Sequence, residues 1–308
     1  MNRQKGRTKC PPVTGNADVL ARVSRSTANI PRTFWIEVPP HMLEIFEPLY
    51  APLPNIERYL ERIGISSFDN PDKETLDSLI LCHQRTVPFE NLDIYDAAAD
   101  ISLNIPALYD KIVLRRRGGY CFELNAVFMS LLTSLGYDCC AVAVRVVWNL
   151  PDVMPISHRA VIVTIDGIRY FCDVGFGGPS PQNALYLDVI GLQTSGTNVF
   201  LFEKSEAGTV MYRMLNGNKE RLLLFHETPC DPVDFLAFNE YQSKNNNSMF
   251  RKNRLVNLIT ETGSITLTGN ALKIHDDGNT LEETLSGEQE LRAALKKHFD
   301  LSVDFPLK

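Results

Sequence analysis

The sequence predicts an α+β protein with helices first, antiparallel strands in the middle, and mixed helices and strands at the end. Three observations support this prediction. Apolar residues recur at steps of three and four in the first half, β-branched runs between turn dipeptides fill the middle, and three short strands precede a last amphipathic helix. The corresponding regions are 51–136, 137–228 and 229–308, preceded by 1–50.

The composition is that of an ordinary globular protein, long enough for about two domains. The 308 residues are 44% hydrophobic and 22% charged, with a net charge of −6. This charge gives no support for nucleic acid or membrane partners, and no apolar run reaches the ~18 residues of a membrane helix. Seven cysteines without a disulfide-framework spacing favour a reducing, cytoplasmic setting. No Cys/His set has zinc-ligand spacing, so we expect no metal, and we expect a monomer or weak homo-oligomer.

Residues 1–50 differ from the rest of the chain. They mix proline, serine, threonine and arginine without a sustained period, which predicts a loosely ordered extension. Arginine-rich, acid-poor composition also fits a transit peptide weakly. An unrelated leader, or a true start at Met42, explains the same composition.

Three helices are predicted before the glycine turn. Asn55 can cap the first, Ile56 to Ile63, and Gly64 can end it. The second spans about 73–85, and the third spans about 106–116.

The next helix carries the most informative stretch, residues 117–125, which reads Arg-Gly-Gly-Tyr-Cys-Phe-Glu-Leu-Asn. Two glycines turn the backbone, and a helical pattern begins straight after Cys121 and ends at Gly136, so we expect Cys121 in the first turn of a buried helix. Free N–H groups and the helix dipole favour a thiolate in the first turn. The competing interpretation is a packed, inert cysteine.

Several short strands follow and predict a small barrel or sandwich. Asp166-Gly167 is a type I′ turn signal between two of them. Asp231-Pro232 opens a further helix. The predicted strands span 139–147, 158–165, 168–176, 198–203, 209–214, 220–226, 254–259, 263–268 and 271–275, and the last helix spans 286–299.

The Asp166-Gly167 turn fixes a register with a chemical consequence. If Ile165 pairs with Ile168, His158 lies opposite residue 175, and Asp173 is its diagonal neighbour on the same face, about 7–8 Å away. A carboxylate can reach an imidazole from there. A purely structural His–Asp pair is the competing interpretation.

Cys121, His158 and Asp173 together supply the three groups of a thiol nucleophile. His158 would accept the thiol proton and hold a thiolate–imidazolium pair. Asp173 would orient the imidazole and stabilise its charge.

Three motifs resemble those of the arylamine N-acetyltransferases: residues 117–123, residues 87–92 (Val-Pro-Phe-Glu-Asn-Leu) and residues 173–177 (Asp-Val-Gly-Phe-Gly). The intervals between the three candidate groups, 158 − 121 = 37 and 173 − 158 = 15, are also close to the family's. The resemblance implies an N-terminal helical bundle, a central antiparallel β-barrel and a C-terminal α/β lid. A cysteine-protease-like triad would lie between the first two.

The resemblance also implies a ping-pong reaction with acetyl-CoA as acyl donor and an arylamine, arylhydroxylamine or hydrazine as acceptor. Positions that flank the bound donor in the family correspond to Gly175, Gly177 and Gly178, for which a plain strand-ending turn is the alternative. Positions that line the family's acceptor pocket correspond to Phe89, Val146 and Phe176, for which ordinary core packing is the alternative.

Finally, we predict a buried ion pair between Arg117 and Glu90 that locks the glycine turn to the 87–92 segment.

Three other functions are alternatives to acetyl transfer. Two would use the same three candidate catalytic residues, and the third would use none of them. They are an amide synthase that takes a long acyl chain from a carrier, a thiol hydrolase or transglutaminase-like enzyme with the same triad, and an inactive binding protein.

Overall fold

The computed structural model describes residues 44–68, 70–151 and 154–308. Most of the predicted extension, including Met42, therefore lies outside the described residues. The described end of that region contains a short 3-10 helix, Glu47–Leu49, whose Leu49 is buried in the core.

The described residues contain eight α-helices, five of them before the first long strand. Their bounds are α1 Ile56–Ile63, α2 Lys73–Thr86, α3 Leu92–Tyr95, α4 Ile105–Tyr109, α5 Cys121–Ser134, α6 Phe235–Lys244, α7 Met249–Lys252 and α8 Gly287–Phe299.

The predicted caps are present at α1, where Asn55 Oδ1 accepts the Arg58 N–H at 2.7 Å and Gly64 has φ +80°. The prediction of one regular α-helix over residues 106–116 is wrong. After α4 the chain widens into a π-helix, Asp110–Leu114.

The described strands number thirteen and form two antiparallel sheets. Their bounds are β1 Phe89–Glu90, β2 Asp138–Val146, β3 His158–Ile165, β4 Ile168–Cys172, β5 Leu185–Tyr186, β6 Gln193–Ser195, β7 Asn198–Ser205, β8 Gly208–Leu215, β9 Asn218–Phe225, β10 Leu255–Ile259, β11 Gly263–Thr268, β12 Ala271–Asp276 and β13 Asn279–Thr284.

The larger sheet is barrel-like. Its eight strands run in the order β5-β4-β3-β2-β9-β8-β7-β6, so β5 and β6 form its two edges. The Gln193 side chain bridges these edges by accepting the Tyr186 N–H and donating to the Tyr186 carbonyl, both at 2.8 Å. Phenylalanines and leucines fill its interior, among them Phe171, Phe200 and Leu222.

The smaller sheet has five strands in the order β1-β10-β11-β12-β13. Its first strand comes from the helical region, because Phe89 and Glu90 pair with Asn257 and Val256. Helix α8 packs its apolar stripe on this sheet. Together with the barrel-like sheet and the helical start, this unit confirms the predicted α+β class. Among the described residues, no helix is both long and apolar enough to cross a bilayer.

The hairpin that carries the candidate histidine has the predicted register. Ile165 pairs with Ile168 across the Asp166-Gly167 turn, and pairing continues to Val161 opposite Cys172. The predicted second strand, 168–176, is wrong at its end, since β4 stops at Cys172.

Candidate active site

The glycine turn before the candidate nucleophile is docked against β1. The Gly119 carbonyl accepts the Glu90 N–H at 2.9 Å, and the Gly119 N–H reaches the Pro88 carbonyl at 3.4 Å. A Cβ atom at Gly118 would lie 2.1 Å from that same Pro88 oxygen, so only glycine permits this approach. The turn is therefore fixed by a neighbouring chain segment.

A buried ion pair reinforces this docking and confirms the prediction for Arg117 and Glu90. Arg117 donates to Glu90 Oε1 from Nε at 3.0 Å and from Nη2 at 2.7 Å. The same Nη2 donates to Asp93 Oδ1 at 2.7 Å. Burial alone would lower the pKa of Arg117, but Glu90 and Asp93 raise it by more. The guanidinium therefore stays charged inside the protein.

Lys111 extends this cluster to the helix that begins at the candidate nucleophile. Its Nζ lies 2.7 Å from Asp93 Oδ2 and 2.7 Å from Glu123 Oε1. The other Glu123 oxygen accepts the Tyr120 N–H at 3.1 Å, which caps α5. The start of α5 is thus held by two buried cations and three carboxylates.

His158 and Asp173 meet as the hairpin register predicts. His158 Nε2 lies 2.6 Å from Asp173 Oδ2, and both side chains are buried. Because Nε2 faces the carboxylate, Nδ1 is the ring nitrogen left for a proton exchange with another group.

Side chains, not strand pairing, satisfy the backbone that follows β4. Gln84 Nε2 donates to the Asp173 carbonyl at 2.8 Å, and Asn125 Oδ1 accepts the Val174 N–H at 3.0 Å. Gly175 N–H donates to Asp173 Oδ1 at 2.9 Å. These bonds replace the ladder and end the strand four residues earlier than the sequence pattern suggests.

The same turn places Asp173 beside the start of α5. A Cβ atom added to Gly175 would lie 3.0 Å from Cys121 Cα, so the turn and the helix start are in direct contact. The Cys121 thiol donates to the carbonyl of Ser157, the residue before His158, at 3.4 Å. The structure therefore joins His158 and Asp173 through their side chains, and it places Cys121 against the residue before His158 and against the turn that follows Asp173.

Burial dominates the protonation of the candidate thiol. It raises the pKa of Cys121, and the Asp173 carboxylate raises it further. Backbone N–H groups at the helix start, including those of Cys121 and Phe122, lower the pKa, as the helix position predicts. Since burial outweighs them, a thiolate at this position needs a nearby cation.

One aromatic ring packs against the imidazole, and a second ring packs against the first. The Phe176 ring centre lies 5.7 Å from that of His158, and the Trp148 ring lies 6.2 Å from that of Phe176. Val146 is half-buried against the barrel interior. Phe89 is 8% exposed and packs against Phe250 on α7. Phe176 is thus the predicted pocket residue that directly contacts the candidate base.

The three glycines of the 175–178 loop pack closely on other residues. Gly175 is buried against Cys121, as described above. A Cβ atom at Gly177 would lie 2.8 Å from the Phe89 ring, and one at Gly178 would lie 3.1 Å from the Trp148 ring. Gly177 also has φ +70°, which favours glycine.

Sequence reasoning missed three residues of this site: Gln84, Asn125 and Trp148. For Asn125 a signal existed, because it lies four residues after Cys121 and so faces the same side of a helix. Gln84 and Trp148 reach the site only through long-range packing. Within the described ranges, no group of three or more His, Cys, Asp or Glu side chains could hold a metal ion.

Comparisons with known proteins place this geometry in context. A family model described as N-acetyltransferase matches residues 72–307. The arylamine N-acetyltransferase of Mycobacterium tuberculosis is 33% identical over 254 residues, which cover 81% of this chain and 90% of that protein. Human arylamine N-acetyltransferase 1 is 29% identical over 277 residues, which cover 81% of this chain and 94% of that protein.

Solved structures agree with the sequence comparisons. The M. tuberculosis arylamine N-acetyltransferase structure superposes with a TM-score of 0.75 at 32% identity, covering 80% of this chain and 93% of that one. The Mycobacterium marinum arylamine N-acetyltransferase in complex with CoA gives a TM-score of 0.75 at 29% identity, covering 80% and 92%.

Proposed function

Because this chain belongs to the arylamine N-acetyltransferase family, we propose that it transfers an acetyl group from acetyl-CoA to an arylamine, arylhydroxylamine or hydrazine through an acetyl-Cys121 thioester. The contact between His158 and Asp173, beside the helix start that carries Cys121, is the observation that supports this mechanism most directly.

In the first half-reaction, His158 Nδ1 takes the thiol proton of Cys121, and the sulfur attacks the thioester carbonyl of acetyl-CoA. The carbon–sulfur bond to CoA breaks, and the leaving CoA thiolate takes the proton back from the imidazolium. The backbone N–H of Cys121 is one donor for the oxyanion. The products are acetyl-Cys121 and free CoA.

In the second half-reaction, the amine nitrogen attacks the acetyl carbonyl of the thioester. His158 removes the proton that the nitrogen loses, and the carbon–sulfur bond to Cys121 breaks. The proton then returns to the sulfur and regenerates the thiol. Thioester exchange keeps the acetyl group activated between the two halves.

The substrate contacts are part of the proposal. CoA would pass along the loop of Gly175, Gly177 and Gly178, the positions that flank the bound donor in the family. The aromatic acceptor would lie against Phe89, Val146 and Phe176. The direct contact of Phe176 with His158 supports this placement, because a stacked ring there would bring its amino group close to the base.

Intact-mass measurement tests the reaction class. After mixing with acetyl-CoA, we expect the wild-type chain to gain one acetyl group and to lose it when p-anisidine is added. Cys121→Ser should gain none. A chain that takes up no acetyl group, or one that keeps it in the presence of amine, would overturn the proposal. Uptake of a long acyl chain alone would favour the amide synthase.

A further inference from the structure

A buried amide connects all three segments of the candidate triad. Asn125 Nδ2 donates to Asp173 Oδ1 at 2.9 Å and to the Arg159 carbonyl at 2.6 Å, while Oδ1 accepts the Val174 N–H at 3.0 Å. The side chain is fully buried. It therefore joins α5, the strand that carries the histidine, and the turn that carries the carboxylate.

The hydrogen-bond network fixes the orientation of this amide. Both acceptors near Nδ2 are oxygens without a proton, a carboxylate and a peptide carbonyl. The group near Oδ1 is a peptide N–H. A flipped amide would place its oxygen against two acceptors and its NH₂ against a donor, so only one orientation satisfies all three partners.

The amide determines which carboxylate oxygen is available to the imidazole. Asp173 Oδ1 receives the Asn125 amide and the Gly175 N–H, both at 2.9 Å. Asp173 Oδ2 is left facing His158 Nε2 at 2.6 Å. Two donors on one oxygen resist rotation of the carboxylate about its χ2 angle, and they hold the other oxygen in line with the imidazole.

The position of the amide on α5 couples this alignment to the nucleophile. Asn125 lies one helical turn after Cys121, so both side chains leave the same side of the helix. The Arg159 carbonyl that Asn125 also holds belongs to the residue after His158. A shift of the helix relative to β3 would strain this bond.

From these contacts we propose that Asn125 is a positioning residue for acyl transfer, which keeps Asp173 and His158 aligned with the Cys121 thiol. This inference rests on the proposed function for its kinetic consequence, but not for the reactivity of the thiol itself. Without the amide, the carboxylate turns, the imidazole loses its fixed direction, and the thiolate–imidazolium pair forms less readily.

The chain offers a closely matched control in Asn91. Its Nδ2 also donates to two backbone carbonyls, those of Phe250 and Asn253, both at 2.8 Å, and its Oδ1 accepts the Leu255 N–H at 2.7 Å. It is 2% exposed. Replacing Asn91 therefore removes the same number of hydrogen bonds, all of them to backbone groups, without touching Asp173.

The test compares Asn125→Ala and Asn125→Asp with Asn91→Ala and Asn91→Asp. The aspartate variants keep the shape of the side chain and replace the donating amide with oxygen. The readouts are melting temperature, kcat and KM with p-anisidine, and the pH profile of thiol alkylation by iodoacetamide. Subtracting the alkylation of the Cys121→Ser protein isolates the reaction of Cys121 from that of the other cysteines. This measurement needs no acetyl-CoA.

We expect both Asn125 variants to lower kcat about 10- to 100-fold, the usual effect of one lost hydrogen bond to a charged group, with KM for the amine little changed. Their alkylation at neutral pH should slow by a similar factor, and the profile should move to higher pH. The Asn91 variants should melt lower, as the Asn125 variants do, but keep the wild-type alkylation profile.

Three outcomes overturn the inference: wild-type alkylation profiles for the Asn125 variants, equal shifts in all four variants, or failure of both Asn125 variants to fold while the Asn91 variants fold. Failure of the proposed function gives a different pattern. In that case the wild-type chain takes up no acetyl group, yet the alkylation profiles still separate the two asparagines.

Discussion

Two buried histidines in this protein have opposite surroundings. His158 lies 2.6 Å from a carboxylate oxygen of Asp173. His83, on α2, is packed between the rings of Tyr59 and Phe128, and neither of its ring nitrogens has a hydrogen-bond partner among the described residues. Burial, helped by the nearby Arg62 guanidinium, lowers the pKa of His83 to about 3.

The comparison shows what a buried imidazole needs to act as a base. Burial alone disfavours the protonated form, so His83 is a neutral aromatic core residue. A fixed carboxylate orients the ring and selects one tautomer, which is what a general base for a thiol requires. The carboxylate partner is therefore the difference between the two sites that bears on catalysis, and removing it should affect His158 most.

The largest effect is expected when His158 loses its partner. Asp173→Asn keeps the shape of the side chain but removes the charge, so His158 loses the carboxylate that orients its ring. We expect kcat/KM for acetyl transfer to fall about 10⁴-fold, as for a wrongly oriented imidazole, with the fold intact by circular dichroism. Asp188→Asn is a control at an exposed ion pair and should keep wild-type activity. Unchanged turnover in Asp173→Asn would exclude an orienting role.

A large effect on stability is expected at the cluster that holds the nucleophile's helix. Arg117→Met leaves Glu90 buried without its guanidinium, which typically costs about 3–5 kcal/mol. Urea denaturation measures this change. Arg115→Met is the matched control, because Arg115 pairs with Asp110 at the surface and should change stability by less than about 1 kcal/mol. Equal effects of the two substitutions would contradict the structural role of Arg117.

A smaller effect is expected where the carboxylate's turn touches α5. Gly175→Ala places a methyl group 3.0 Å from Cys121 Cα and from Asn125 Nδ2. Overpacking of this kind costs about 1–3 kcal/mol, and it would separate the thiol from the imidazole. We therefore expect a lower melting temperature together with a lower kcat. A variant with wild-type values for both would show that the contact is not tight.

The smallest effect is expected at His83, and it concerns pH. The pKa of His83 is about 3 in the folded chain, against 6.5 for an ordinary histidine. Between these values the unfolded chain binds a proton that the folded chain does not, so stability is lost as pH falls below about 6.5, by up to about 1.4 kcal/mol per pH unit.

His83→Leu should remove this loss and leave acetyl transfer at neutral pH unchanged. Urea midpoints of the wild type and the variant, compared between about pH 7 and about pH 5, check the difference in slope. Parallel pH dependence of the two proteins would mean that His83 is protonated in the fold.

Local signals in the sequence predicted the parts of the site that local rules govern. The Asp166-Gly167 turn fixed the hairpin register, and with it the meeting of His158 and Asp173. The glycine turn and the helical period placed Cys121 in the first turn of a helix. The charges of Arg117 and Glu90, in two separate motifs, predicted their ion pair.

The features that the sequence did not predict depend on distant partners. The end of β4 was missed because Gln84 and Asn125, far away in the chain, satisfy the backbone after Cys172. Strand β1 is only two residues long and exists because β10 pairs with it. Strand β13 is exposed along its whole length, so it lacks the alternation that marks a half-buried strand.

The ultraviolet absorbance of the Cys121 thiolate, followed as a function of pH, tests the central claim most directly. The difference between the wild type and Cys121→Ser isolates this sulfur from the other cysteines. We predict a thiolate signal at neutral pH that disappears in His158→Ala and in Asp173→Asn. A signal that emerges only under strongly alkaline conditions, at the same pH in all three proteins, would contradict an ion pair between Cys121 and His158.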